Sequence, residues 1–488
     1  MTTVDSLTAT MPAARNPPPR APLAPLALAL AAGLLLAACA APAPEHAPSA
    51  PLSTGWKSAP PPGWISTADA PAAWQEGRWW ALFADAPLDA LMPRVDVGNQ
   101  NLAQAVANVA QAQALLRQAE SQLGPTLGAQ LGAQRSGDPA GGAANLGLTA
   151  SWAPDLWGRL AAGVQAQGAR VQASQADLAA ARLAAQGSLA SAYFRVREAD
   201  VELQLLDEII TGYRRAVGIT QNRYDAGVAA HTDLLQARST LENALGSRAA
   251  LQASRDTSEQ AIALLIGEPP AQFTLARAPW QATVPALPLD MPSELLLRRP
   301  DVASSERAVV AANANIGAAR AAYFPSLNLT AGLGGKAGSL ATLASAPTLA
   351  WSLGAALAQT LLDNGARDAA VEQARAAHQA ATASYRQSVL TALGQVESQL
   401  TAMAALATQI EHAHAAALAA HGAEQRILNS YQAGLSAYTD VVTAQANALG
   451  ARRSELQLQL QRQQAAVGLI QALGGGWQAP WGEAAASS

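Results

Sequence analysis

Two stretches of the sequence repeat each other: YDAGVAAHTDLLQA at residues 224–237 and YQAGLSAYTDVVTA at residues 431–444. Seven of their fourteen positions are identical, at an offset of 207 residues. Upstream, GPTL at 124–127 matches FPSL at 324–327 at an offset of 200. The sequence therefore predicts an internal duplication. Each copy is expected to contain a helix, two short strands, a very long helix, a glycine turn and a returning helix.

Very long helices are predicted upstream of both repeated stretches. Residues 159–223 and 366–431 contain no proline and are dominated by Ala, Leu, Gln and Arg, which favour helix. A helix of roughly 60 residues is about 90 Å long, far beyond an ordinary globular helix. Gly227 and Gly434 then supply the left-handed conformation on which helices commonly stop. The returning helices are predicted at 228–266 and 436–473.

Alternation with a period of two predicts two β-hairpins, at 124–155 and 324–362. Leucine and alanine occupy one face of each strand, and small or uncharged polar residues occupy the other. A half-buried sheet of a soluble sandwich alternates in the same way. The uncharged polar face, strands of about 9 to 11 residues and the positions of Trp152 and Trp351 near strand ends favour a transmembrane barrel wall instead.

The number of strands then predicts an oligomer. Hydrocarbon cannot hydrogen-bond a free sheet edge, so a sheet in a membrane must close on itself. Four strands per chain are too few, because bacterial barrels have about eight or more. Several chains must therefore pool their strands, and a cyclic trimer would supply twelve. The predicted fold class is a mixed α/β membrane protein with a trimeric, twelve-stranded β-barrel that continues into long helices.

The first 38 residues are predicted to be an export signal. Arg15 and Arg20 precede an apolar run at 21–38, which ends in small residues before Cys39. The segment Leu-Ala-Ala-Cys that ends at Cys39 resembles the bacterial lipobox. In that motif the cysteine carries diacylglycerol and an N-acyl chain and becomes the first residue of the mature protein. Ala40 favours the outer membrane, by resemblance to other bacterial lipoproteins.

Two alternatives exist for this leader. The apolar run has about the length of a membrane-spanning helix, so a retained anchor competes with cleavage, as does an ordinary signal peptide. Met11 is an alternative start to Met1, because the ten residues before it add nothing to the signal. The Pro- and Ala-rich sequence after the cysteine predicts an extended, acylated tether over 39–76.

The rest of the chain divides at a Pro-rich connector. The first copy is predicted at 77–266 and the second at 292–473, with the connector at 267–291 between them. Pro300 and Asp301 give a helix-start signal inside the second copy. The glycine-rich tail at 474–488 is expected to be mobile.

Composition and side-chain chemistry argue against several classes of protein. The net charge of −4, from 31 Lys and Arg against 35 Asp and Glu, argues against a nucleic-acid binder. The single cysteine excludes a disulfide framework within the chain and a CxxC-type zinc site. Among six histidines only His412, His414 and His421 cluster, and a solvated helix face is the favoured interpretation over a metal site. We expect neither enzymatic activity nor a metal, and no cofactor beyond the lipid on Cys39.

An ordered set of motifs resembles one family. These are the Cys39 lipobox, Trp79-Trp80, Trp152 followed by Asp155-Leu-Trp-Gly-Arg159, Leu297-Arg-Arg-Pro-Asp301, Phe324-Pro-Ser-Leu327 and the two Tyr-x-Ala-Gly turns. Together they resemble the lipoprotein branch of the TolC-type outer membrane efflux proteins, the NodT/OprM-like channels.

The resemblance implies a homotrimer whose twelve-stranded barrel in the outer membrane continues into a periplasmic α-helical barrel. Its implied partners are a periplasmic adaptor and an inner-membrane RND transporter, with outer-membrane lipid around the barrel. The implied function is passive export of drugs or other toxic small molecules. An exit duct for type I protein secretion with an ABC transporter is the alternative with the same fold. A structural envelope lipoprotein built on a coiled coil is the alternative from another class.

The periplasmic tips hold the candidate functional residues. By resemblance, a constriction after the second turn maps onto Asp440, and a ring of carboxylates from symmetric chains favours cations. The family's frequent second acidic position is Thr443 here, which argues against a double ring. N-capping of the returning helices is the competing role for Asp440 and Asp233. Tyr431 is a candidate for a hydrogen bond between helices across the closed tip, with ordinary packing as its alternative.

Overall fold

The fold is known from a computed structural model of the chain. It describes residues 55–58, 64–65, 70–135, 137, 142–289, 298–338, 340–343 and 349–481. The predicted signal peptide, Cys39 and most of the tether lie outside the described residues, and so does the end of the tail from 482.

Seven helices and four strands form the frame of the described chain. In chain order they are α1 (Ala86–Gly98), α2 (Gln100–Ser121), β1 (Thr126–Arg135), β2 (Gly142–Trp152), α3 (Arg159–Asp225), α4 (His231–Leu265), α5 (Pro300–Ala321), β3 (Ser326–Ala337), β4 (Leu349–Ala358), α6 (Ala366–Gln432) and α7 (Tyr438–Ala472). Short helical turns also occur at Ala72–Gln75, Trp79–Phe83, Pro270–Gln272 and Leu340–Leu343. The order helix, two strands, long helix, returning helix occurs twice, as the duplication predicts.

The strands form one antiparallel sheet in the order β1-β2-β3-β4. Its register aligns apolar residues across the sheet, for example Leu148 opposite Leu333 and Leu333 opposite Trp351. The neighbouring row consists of small and polar residues: Gly128, Thr149, Gly332 and Ser352. The apolar row is exposed in the single chain, with 75% of Trp351 accessible. Neither β1 nor β4 has a second neighbouring strand in the described chain.

The two long helices contain 67 residues each, which corresponds to about 100 Å. Helix α3 packs against α2, α4, α5 and α7, and α6 packs against α5 and α7. The two copies therefore pack side by side along their helices. Within the described ranges, no helix combines the length and apolarity needed to cross a membrane.

The largest hydrophobic core lies midway along the helices, away from the sheet. Trp74 and Trp79, before α1, pack there with Tyr193 and Phe194 of α3 and with the end of α7. These four rings are at most 1% exposed. Segments from near both ends of the described chain therefore pack into this core.

The predicted mobile tail is wrong over its first residues. Gly474, Gly475 and Gly476 are buried, all with positive φ. A Cβ at Gly476 would lie 1.9 Å from the Trp74 carbonyl oxygen, which no packing can accommodate. The three glycines close one side of the core, because a Cβ at any of them would collide with neighbouring atoms.

Candidate functional site at the helical tip

The tip consists of two glycine turns with the same backbone geometry. Gly227 and Gly434 have φ of 71° and 76°. In each turn the glycine N–H and the next N–H donate back to the last helical turn, as Val228 N–H to Arg223 O and Leu435 N–H to Ser430 O. This is the Schellman arrangement, which satisfies the helix carbonyls. The two turns therefore reverse the chain tightly at one end of the helices.

The returning helices start at different residues from those expected. Ala230 and Ala437 occupy the N-cap positions, and Asp233 and Asp440 lie three residues further on. Neither aspartate is thus the N-cap residue. Asp440 Oδ2 accepts a hydrogen bond from the Ala437 backbone N–H at 3.2 Å, which is half of a capping box. The side chain of Asp233 makes no capping bond.

Asp440 is exposed at the tip, and Asp233 is half-buried. An aspartate in the first turn also interacts favourably with the helix dipole. Asp440 keeps one carboxylate oxygen available to solvent or to a neighbouring chain, because only Oδ2 takes part in the capping bond. Thr443 donates its hydroxyl hydrogen to the Thr439 carbonyl in its own helix and adds no charge.

An aromatic cluster lies beneath the second turn. Tyr431 and Tyr438 are 7% and 3% exposed, and their ring centroids are 5.4 Å apart. The Arg223 guanidinium lies over the Tyr431 ring, 4.8 Å from its centroid. Within one chain Tyr431 thus packs between Tyr438 and a cation from α3. Arg223 and Tyr438 are functional candidates that the sequence did not reveal. Tyr438 could have been found from the repeat, because its equivalent in the first copy, His231, is also a ring residue.

Burial keeps the Tyr438 phenol neutral. It raises the pKa of Tyr438 to about 12, with smaller contributions from Tyr431, Tyr213 and Asp233. The corresponding pair in the first copy, Tyr224 and His231, has ring centroids 5.1 Å apart, and Tyr224 is 39% exposed. The second turn is therefore the more firmly packed of the two.

Two of the three clustered histidines each contact a separate carboxylate. His414 Nδ1 lies 2.7 Å from Glu455 Oε1, and His421 Nδ1 lies 3.4 Å from Glu424 Oε2. Within the described ranges, no group of three or more His, Cys, Asp or Glu side chains is placed to hold a metal ion.

The comparison with known families decides the identity of the chain. A family model described as "Outer membrane efflux protein" matches residues 91–268 and again 291–475. The chain belongs to this family. The two matches lie near the two predicted copies, and together they cover well over half of the chain.

Two curated relatives match most of the chain. The pyoverdine export outer membrane protein OpmQ of Pseudomonas aeruginosa is 31% identical over 466 residues, covering 92% of this chain and 96% of its own length. The cation efflux system protein CusC of Escherichia coli is 29% identical over 425 residues, covering 85% and 91%.

A solved outer-membrane channel has the same fold. The structure of OprN is 26% identical and covers 90% of this chain and 100% of its own, with a TM-score of 0.78. The expected outer-membrane efflux fold, function and location are confirmed by these matches. The roles of Cys39 and of the tip residues stay predictions.

Proposed function

We propose that the protein is the outer-membrane exit duct of a tripartite pump that exports toxic small molecules. In this proposal an inner-membrane RND transporter supplies the energy and a periplasmic adaptor connects it to the tip. The observation that carries the proposal is the junction of a four-stranded sheet, apolar on one face, with helices of about 100 Å. The sheet is suited to a bilayer, and the helices are long enough to extend deep into the periplasm.

The trimer follows from the free edges of the sheet. The outer backbone groups of β1 and β4 have no strand partner in the described chain. Placing each of these unpaired backbone groups in hydrocarbon costs on the order of several kcal/mol. Pairing β4 of one chain with β1 of the next satisfies them, and three chains give a closed wall of twelve strands. The apolar row then contacts lipid, and the row of Gly, Thr and Ser lines the lumen.

Cys39 is proposed to carry the lipid anchor. The acyl chains would hold the start of the tether at the membrane, while residues 70–102 pack into the core midway along the helices.

At the tip, Asp440 is proposed to form a three-fold ring of carboxylates that narrows the entrance and favours cations. Arg223, Tyr431 and Tyr438 support this ring by fixing α7 against α3 and α6. The duct is proposed to conduct without catalysing a reaction.

The exported compounds are proposed to be chemically diverse. OpmQ is named for pyoverdine export and CusC for cation efflux, so relatives of similar length serve different cargoes. In the proposed lumen, the polar row of the sheet consists mainly of glycine, hydroxyl and amide residues and also includes Lys336 opposite Asn145, a lining that is compatible with diverse cargoes.

Deletion of the gene in its host tests the proposal. The deletion strain is expected to become sensitive to several unrelated toxic compounds, and a plasmid copy is expected to restore resistance. Unchanged sensitivity with the partner pump expressed contradicts the proposal. A neighbouring gene for an ABC exporter instead of an RND transporter would favour protein secretion, and a purified protein that conducts no current in a planar bilayer would favour a structural rod.

A further inference from the structure

A buried acidic pair lies where the two copies meet. Glu198 and Glu202 are one turn apart on α3, 6% and 2% exposed. Side chains four residues apart lie on the same face of a helix. This face packs against α7, and Arg453 of α7 donates its Nε–H to Glu202 Oε1 at 2.5 Å. The arginine thus links the second copy to the first at this point.

The charges of this cluster do not balance. Two buried carboxyl groups share one guanidinium, and the Arg453 side chain is itself 37% exposed. Oε1 of Glu198 is buried and has no hydrogen-bond partner. The Glu198 carboxyl is nevertheless within hydrogen-bond reach of the Glu202 carboxyl. Two carboxyl groups can form such a bond only when one of them carries a proton.

A second buried carboxylate on the same helix provides the contrast. Asp200 is bound by Arg197 Nη1 at 3.1 Å and by Arg255 Nε at 2.7 Å. Residues two apart point to nearly opposite sides of a helix, so this group faces away from the acidic pair. Two guanidinium groups contact the Asp200 carboxylate, whereas a single guanidinium contacts the pair of Glu198 and Glu202.

We propose that Glu198, Glu202 and Arg453 form a proton-dependent clasp that holds α7 of the second copy against α3 of the first. With the proton present, Glu198 donates to Glu202, and Glu202 binds Arg453. When the proton leaves, two carboxylates face each other away from water and only one cation compensates them. Their repulsion then loosens the contact between α3 and α7. If the protein is a duct as proposed above, that loosening favours its open form.

The expected pH range follows from the direction of the shift. Burial raises the pKa of Glu198 from 4.5 to about 8, and the nearby Glu202 raises it further than Arg453 lowers it. Among the described residues, Glu202 and Arg453 are the charged groups that act on Glu198. Because the pKa is higher in the folded state, the stabilisation is complete below 4.5 and is lost as the pH rises through about 8.

The clasp is tested on the full-length protein in detergent by infrared spectroscopy. Wild type is expected to show the carbonyl band of one protonated carboxylic acid at pH 7, which disappears near pH 8 to 9. Glu198→Gln is nearly isosteric and is expected to lack this band. Glu242→Gln, at an exposed glutamate of α4, is the matched control and is expected to retain it. A wild-type spectrum without the band at pH 7, or a band that persists in Glu198→Gln, overturns the proposal.

Thermal unfolding and conductance then test the consequence. The wild-type midpoint is expected to fall between pH 6 and pH 9, and this pH dependence is expected to flatten in Glu198→Gln but not in Glu242→Gln. Open probability in planar bilayers is expected to rise over the same range in wild type alone. Identical pH profiles of midpoint in wild type and Glu198→Gln contradict the clasp. The absence of current in every variant and at every pH counts against the proposed duct. The infrared band and the thermal unfolding midpoints test the clasp independently of that result.

Discussion

Replacement of Asp440 separates two roles of one carboxylate. Its hydrogen bond to the Ala437 N–H is 3.2 Å long and exposed to solvent, so loss of this bond is expected to cost about 0.5–1 kcal/mol. In a domain of 150–250 residues 1 kcal/mol corresponds to about 2–4 °C, and less in a larger assembly. Asp440→Asn keeps an oxygen acceptor but removes the charge, whereas Asp440→Ala removes both. The stability effect of Asn is therefore small, and that of Ala is somewhat larger.

The two Asp440 variants are expected to differ in stability but not in ion selectivity. If three Asp440 side chains line the entrance, both variants are expected to lose cation preference to a similar degree, because both remove the charge. The assay is the reversal potential in a salt gradient across a planar bilayer, with thermal unfolding in parallel. Asp233→Asn is measured in parallel, since Asp233 is the gate candidate at the same helix position in the first copy. Wild-type selectivity in Asp440→Asn, combined with reduced stability in Asp440→Ala, would refute the ring and leave only the capping role.

Three further substitutions test other parts of the structure. Gly476→Ala is expected to lower the free energy of unfolding by more than about 3 kcal/mol, because its Cβ would collide with the Trp74 carbonyl. Gly434→Ala has no atom near its new Cβ, so it is expected to cost only about 1–2 kcal/mol, from strain in the left-handed backbone conformation. Equal unfolding midpoints of the two variants would contradict this prediction. Arg299→Lys is expected to lower the free energy of unfolding, measured by denaturant titration, by about 2–3 kcal/mol. Lysine cannot make the hydrogen bonds to Ala472 O and Gln395 and the ion pair to Asp301 at the same time. An unchanged midpoint would show that these contacts of Arg299 do not stabilise the fold. Cys39→Ser is expected to abolish labelling by radioactive palmitate, and persistent labelling would exclude the lipobox.

Elements set by local sequence were predictable. The long proline-free segments became α3 and α6, and both ended within two residues of the predicted positions, because the glycine turns fix the ends of helices. Alternation of leucine with small residues predicted the strands, and the observed register puts the leucines in one row. Pro300 and Asp301 indicated the start of α5, which begins at Pro300.

Contacts between distant segments were not predictable in the same way. Gly476 is buried against Trp74, about 400 residues away in sequence, and a glycine run by itself suggests mobility. The link between Glu202 and Arg453 spans 251 positions, and nothing in either local sequence marks it. At the tip, the N-cap residues of the returning helices lie three positions before the aspartates, so an aspartate expected at the N-cap lies inside the first turn instead.

The assembly state in detergent tests the central claim most directly, because four strands with two free edges can close a membrane wall only together with further copies. Native mass spectrometry of the protein extracted from outer membranes is expected to give one dominant particle of three acylated chains that requires detergent to remain in solution. A single chain that stays dispersed without detergent would contradict both the barrel and the duct.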